Sequence, residues 1–150
     1  MKLNSILTEM PLNIEDIDWH DLYDTEKNQA FYKELLSNKF KTKLFKVFSN
    51  AFVYQLKSQF FCLDENAKRV TYYMKYEVGN NGKLGSFVWQ SLVWTHEGSS
   101  YLSGIPQEVF FEKLLPKFGT IITDGQQTWN GKRFWKLRIA EAFQKGLNVY

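Results

Sequence analysis

The sequence has little of what usually announces an activity. Cys62 is the lone cysteine in 150 residues, which rules out a disulfide within the chain. The expected setting is therefore reducing and cytoplasmic. His20 lies among Asp16, Asp18, Asp21 and Asp24, yet one histidine beside carboxylates lacks the spacing of a zinc or calcium site, and no metal is expected. No stretch approaches the roughly 18 apolar residues of a membrane span. Met1 to Met10 carries one lysine and too short an apolar run for a secretory signal. Neither internal repeats nor low-complexity segments are present. Of the three prolines, Pro11 breaks any helix that begins before it, Pro106 suits the first position of a helix, and Pro116 is expected to help end that helix.

What is present is an aromatic, globular composition. Hydrophobic residues make up 44% and aromatic residues 17%, which fits one domain over residues 1–150 with a sheet-rich core or a sticky binding face. The net charge of +3 says less than its distribution. Glu9, Glu15, Asp16, Asp18, Asp21, Asp24 and Glu26 face only Lys2, whereas Lys27, Lys33, Lys39, Lys41, Lys43 and Lys46 face only Glu34. Residues 1–24 read as an irregular acidic arm with a short helical turn near Asp16 to Tyr23. The arm and the basic segment can pair within the molecule, address different partners, or simply be solvated.

Periodicity supplies the elements. Asp24 or Thr25 can cap a helix running to about Asn38, with Phe31 and Leu35, and Tyr32 and Leu36, on its buried stripe. Phe52 to Leu63 alternates, placing Phe52, Tyr54, Leu56, Phe60 and Cys62 on one face of one strand. Asp64 to Ala67 turns the chain into a second strand, Arg69 to Val78. Gly79-Asn80-Asn81-Gly82 supplies the positive-φ residues of a tight hairpin. Leu84 to Trp94 is apolar on both faces, as expected of the central and most buried strand. A helix from Pro106 to about Leu115 then leads to a short strand at Phe118 to Thr123. That crossover predicts a parallel pairing with Phe87 to Trp94. Thr128 can cap a last helix whose stripe includes Trp135, Ile139, Ala142 and Phe143. Gly146 ends it, and Leu147 to Tyr150 resumes β character. The expected class is α+β: an antiparallel meander and a parallel strand in one mixed sheet, with helices on both faces.

This order of elements, with Thr123-Asp124, Gln127-Thr128, Gly131-Lys132-Arg133 and Trp135, resembles the GNAT acyltransferase superfamily, in particular its small members of phage or mobile-element type. The resemblance implies a wedge between the central and parallel strands that takes the pantetheine arm of acetyl-CoA, along Phe87 to Trp94. It implies a pyrophosphate site on the amides around Ser103, Gly104 and Ile105, where a helix start favours an anion. Trp94, Ser103, Gly104 and Ile105 are the cofactor-binding candidates that follow. Only Gly104 matches the family's phosphate loop, and Trp129 to Lys145 holds no Tyr to protonate a departing thiolate.

Three residues are candidates for the chemistry. His96 and Glu97 follow the central strand, where a Glu can take the proton of an attacking amine. Asp124 ends the parallel strand, where ligands gather in α/β sheets, and serves equally as a turn and cap residue. Cys62, on an apolar face, reads as a packed core thiol. Three functions remain open. One is an acetyl-CoA-dependent N-acetyltransferase acting on an amine of a small molecule or protein. Another is a catalytically inactive protein of the same shape that binds and modulates a host protein. The third is nucleic-acid binding, suggested by Phe40, Phe45 and Phe48 among lysines and by Lys132, Arg133, Lys136 and Arg138, though no recognisable nucleic-acid motif accompanies them.

Overall fold

A computed structural model describes residues 18–83, 85–123 and 129–149. These fall into two compact units. One takes in the described residues up to Met74 together with Leu92–Ser103, and the other Lys75–Ser91 and the described residues from Gly104 onward. Six strands form one mixed sheet in the order β1-β2-β3-β4-β5-β6: Thr42–Phe48, Ala51–Leu56, Gln59–Asp64, Arg69–Asn81, Gly85–Thr95 and Ile121–Ile122. The ladders β1–β2 and β2–β3 are antiparallel and β5–β6 is parallel.

In the first unit a 3-10 turn, Trp19–Tyr23, leads into helix α1, Thr25–Ser37. The Asp24 carboxylate accepts from Lys27 N–H at 3.0 Å, which satisfies a free amide of the first turn as the sequence predicts. Asn28, Phe31, Tyr32 and Leu35 form the buried face at i, i+3, i+4 and i+7. Leu36, expected on that stripe, is 39% exposed, and the polar Asn28 completes the face instead. Asn28 uses its amide fully: Nδ2 donates to Leu22 O and Val70 O, and Oδ1 accepts from Val70 N–H at 2.8 Å. One side chain thus ties α1 to the 3-10 turn and to β4.

The expected single strand from Phe52 to Leu63 is two strands, β2 and β3, joined by a two-residue turn at Lys57 and Ser58. Lys57 adopts φ 53°, a conformation that glycine or asparagine usually supplies. The pairing Leu56↔Gln59 changes which residues share a face. Phe52, Tyr54 and Leu56 stand with Phe61 and Leu63, while Val53 stands with Phe60 and Cys62 on the other face. The first set joins Phe31, Leu35 and Val70 in a core cluster under α1. Each fully buried side chain of this size contributes about 1.5–3 kcal/mol. β3 is buried from Gln59 to Leu63 and β4 from Val70 to Met74, so these stretches are covered on both faces. β5, expected to be the most buried, has only Val88 and Trp94 buried, because Gly85 to Phe87 and Ser91 to Val93 lie toward solvent or half-buried. β1, which the charge pattern does not reveal, is the sheet's first strand. Its pairing with β2 is interrupted twice, between Lys43 and Phe45 and between Lys46 and Phe48.

In the second unit Gly79 lies within β4, and the hairpin turn falls later, after Asn81. A Cβ on Gly79 would stand 2.5 Å from the Phe87 ring, so this glycine makes room for an aromatic side chain. Helix α2, Ile105–Glu108, continues through a π-helical turn, Val109–Leu114, into α3, Leu115–Phe118. Pro116, expected to end the helix, lies inside its last part. Proline has no N–H and its ring collides with the carbonyl four residues back. The wide turn, in which Leu115 N–H bonds Phe110 O, accommodates both demands. Gly119 at φ 79° closes the helix, with its N–H on Leu115 O at 2.8 Å. The predicted parallel strand follows, pairing Ile121 with Val88 and Ile122 with Trp89.

Helix α4, Trp129–Gln144, meets α2 and its continuation through Phe134 and Trp135, whose rings lie 6.1 and 4.9 Å from Phe110. Gln107 also donates to Glu141 at 2.9 Å. These contacts turn the helix so that Phe134, Trp135, Arg138, Glu141 and Ala142 face inward. Of the expected stripe, Ile139 and Phe143 are exposed. Gly146 ends the helix as predicted: its N–H bonds Phe143 O, and Leu147 N–H bonds Ala142 O, a Schellman closure. Leu147 to Val149, expected to resume β character, form no strand. The predicted Thr128 cap lies outside the described residues, as does most of the acidic arm. Among the described residues no helix is long and apolar enough to cross a membrane.

Two outcomes follow from this packing. Asn28→Ala leaves three buried backbone groups without partners, and urea titration should show a loss of about 3 kcal/mol. Cys62 is fully buried, and burial pushes its thiol up from 9.0 to about 11. The unfolded chain therefore gives up this proton first, so stability falls as pH climbs past about 9 toward 11. A thiol reagent at about pH 8 should modify Cys62 only as fast as the chain unfolds.

Candidate functional site

The first unit contains a cavity of about 180 Å³ lined by Leu22 and Tyr23 of the 3-10 turn, Thr25 and Asn28 of α1, Arg69 of β4, and Trp94, His96 and Glu97. Each comes to the site for a local reason. The capped start of α1 fixes Thr25 and Asn28, and the bonds from Asn28 to Val70 hold the first turn of the helix beside the start of β4. Arg69 opens β4 directly after a turn in which Lys68 takes φ 53°. Trp94 ends the buried part of β5, and the backbone N–H of His96 donates to Thr71 O at 2.8 Å, which carries the strand register one step past its end.

The polar groups form a chain. Arg69 Nη1 lies 2.6 Å from His96 Nε2, and His96 Nδ1 lies 3.1 Å from Ser99 Oγ. A guanidinium can only donate, so Nε2 is the acceptor and the imidazole proton sits on Nδ1, aimed at Ser99. Burial first, and the Arg69 charge second, hold the imidazole below its ordinary range, against the opposing pull of Glu97 and Asp64. His96 is therefore neutral with both nitrogens engaged. Serving as a base would require it to release Arg69.

Trp94 is 4% exposed, with Tyr23 edge-on at 5.8 Å and His96 at 6.3 Å between ring centres. Its indole N–H is buried without a partner, and so is Nε–H of Arg69. An unmatched buried donor costs about 1–3 kcal/mol. Among the described residues no carboxylate lies within ion-pair reach of Arg69, whose one polar partner is neutral His96. Glu97 is exposed. The cavity is thus lined by one cation, apolar ring surface and a carboxylate, with two unmatched N–H donors buried in its walls.

Three of the residues singled out in the sequence, Trp94, His96 and Glu97, come together here. Ser103 and Gly104 are exposed at the end of a 3-10 turn, Ser100–Gly104, and do not line this cavity. Ile105 is 1% exposed, so its side chain belongs to the core and only its backbone can meet a ligand. Pro106 removes one amide from the helix start that follows. Asp124 lies outside the described residues. The sequence alone does not single out Arg69, Asn28 or Tyr23. Its one available signal is Arg69, a charge at the head of a strand whose next five residues are all buried. Among the described residues no group of three or more His, Cys, Asp or Glu side chains could hold a metal ion. No protein-family model matches this sequence, and no curated protein matches it.

The neutral state of His96 has a pH signature. The folded imidazole resists protonation more than the unfolded one, so the unfolded state gains protons first as pH falls. Stability attributable to His96 is present above about pH 6.5 and is lost below it. In thermal melts between about pH 7 and 5, the wild-type chain should lose stability more steeply than His96→Gln, which cannot titrate.

Proposed function

We propose that the chain is a GNAT-like protein that transfers an acetyl group from acetyl-CoA to an amine. The observation that carries this reading is the short parallel flank: β6 meets β5 only at Val88–Ile121 and Trp89–Ile122, after a helical crossover. A parallel pair reached through a helical crossover supports the parallel flank that such a sheet requires. In this reading acetyl-CoA supplies the activated acetyl group, and the amides around Gly104 hold its pyrophosphate. Glu97, exposed and lining the cavity, takes the proton of the acceptor ammonium directly or through one water, so that nitrogen presents a lone pair. Neutral His96, held by Arg69 and Ser99, stays out of the proton transfer and shapes the wall beside Glu97. The proton lost from nitrogen on acylation balances the one that the departing thiolate takes up from solvent.

A specific observation favours a second reading, a protein of this shape that binds a host protein without catalysis. Phe40 and Phe48 are 76% and 62% exposed in a stretch that carries Lys39, Lys41, Lys43 and Lys46, which gives an aromatic and basic surface.

Calorimetric titration and thermal shift with acetyl-CoA test the first reading. The expected outcome is saturable binding, with Glu97→Gln retaining it and lowering transfer to an amine by roughly 10²–10⁴-fold. Absence of binding at about millimolar cofactor, a generous limit for an enzyme's substrate, overturns it. One stoichiometric host partner without acetylated product would establish the second.

A further inference from the structure

We infer that the cavity of the first unit is a binding site for a small monocarboxylate whose apolar body is about the size of one ring. The inference goes beyond acetyl transfer and stands on the cavity alone. Its one extension, that the bound carboxylate belongs to the acceptor amine, rests on that reading.

Charge sets the ligand's sign. Arg69 is the one cation among the described residues that line the cavity, its polar partner His96 is neutral, and no described carboxylate pairs with it. Shape sets the ligand's chemistry. His96 occupies Nη1 of the guanidinium and leaves Nε–H unmatched in the cavity wall, so a carboxylate that draws the guanidinium inward meets Nε–H and Nη2–H as parallel donors. Two parallel N–H groups fit a planar carboxylate bidentately. A phosphate would bring more negative charge than one guanidinium offsets, and Glu97 on the same lining would repel the excess. The indole N–H of Trp94 is a further buried donor in want of an acceptor, and no acceptor in the described chain serves it. Asn28 cannot turn to the ligand, because its amide is committed to Leu22 and Val70.

Size and walls set the rest. Leu22, Tyr23 and Trp94 give the cavity apolar and aromatic surface, and its volume is about 180 Å³. A cavity of about 150 Å³ takes up benzene, so one ring with a carboxylate attached is a fair match. Glu97 would then meet any cationic group at the far end of the ligand, as an amino acid or amino-aryl acid would present.

Benzoate is the probe, titrated into the full chain at constant ionic strength without acetyl-CoA. The indole N–H resonance of Trp94, assigned through Trp94→Phe, reports binding. The expected result is a saturable shift of that resonance, with benzoate bound at least about tenfold more tightly than benzyl alcohol and than inorganic phosphate. Arg69→Gln should abolish the preference for benzoate over benzyl alcohol. If that variant does not fold, Arg69→Lys keeps the charge, lacks the planar edge, and should bind benzoate about tenfold more weakly. Equal binding of the alcohol, equal binding of phosphate, an undiminished preference in the arginine variant that folds, or no shift at about 10 mM benzoate would each overturn the inference. With acetyl-CoA left out of the assay, failure here leaves the transfer reading standing, and failure of acetyl-CoA binding leaves this site standing.

Discussion

The first unit depends on how Asn28 is satisfied. A buried primary amide has two donors and an acceptor to place, and leaving any of them unmatched in the core would be costly. Asn28 places them on Leu22 O and on both backbone groups of Val70, so a helix side chain completes the hydrogen bonding of a strand residue. The cluster of Phe31, Leu35, Phe61 and Leu63 supplies the larger share of burial energy, but apolar contacts are tolerant of sliding. The three amide bonds are directional. They fix the height and rotation of α1 over β4, and with them the positions of Thr25 and Tyr23 opposite Arg69.

Polar groups in the cavity follow the same logic in a less complete form. His96 is satisfied on both sides and buried enough to stay neutral, which makes it a positioning element for Arg69. Arg69 and Trp94 keep donors in reserve. Both residues line a space large enough for a small molecule, and an acceptor brought there would relieve the cost of an unmatched donor.

The sequence displays the helices well and the sheet less well, for reasons that can be named. Asp24 and Gly146 mark helix ends through local hydrogen bonds, which the sequence displays directly. The turn at Lys57 and Ser58 is hidden because it carries no glycine, asparagine or proline, and because two turn residues leave the polar–apolar alternation nearly unbroken. A reader of periodicity therefore sees one long strand and assigns Phe60 and Cys62 to the wrong face. β1 is hidden by its lysines, which an edge strand needs and which read as a solvated basic segment. Within the site, Trp94, His96 and Glu97 can be found because they follow a recognisable strand. Arg69 and Asn28 cannot, since their importance arises from contacts across 27 and 42 residues of sequence. The inner face of α4 is misjudged from sequence because Arg138 and Glu141 look like surface residues until Gln107 and Phe110 are brought beside them.

The π-helical turn at Val109–Leu114 has a further consequence for how the chain can change. A residue added to an α-helix advances the phase of everything after it by about 100°. The wide turn absorbs such an advance locally, so that Ile105, Val109, Phe110 and Leu114 all remain buried although their spacing suits no single α-helical face. The phase of Leu115–Phe118, and through Gly119 the line on which β6 leaves, is therefore set independently of the phase of Ile105–Glu108. Loss of one residue from this turn would restore a regular helix, bring Pro116 into conflict with the carbonyl four residues before it, and turn the exit toward β6 by about 100°. The segment acts as a gearing element. Its length in residues, more than the identity of any one of them, determines where the parallel strand can lie.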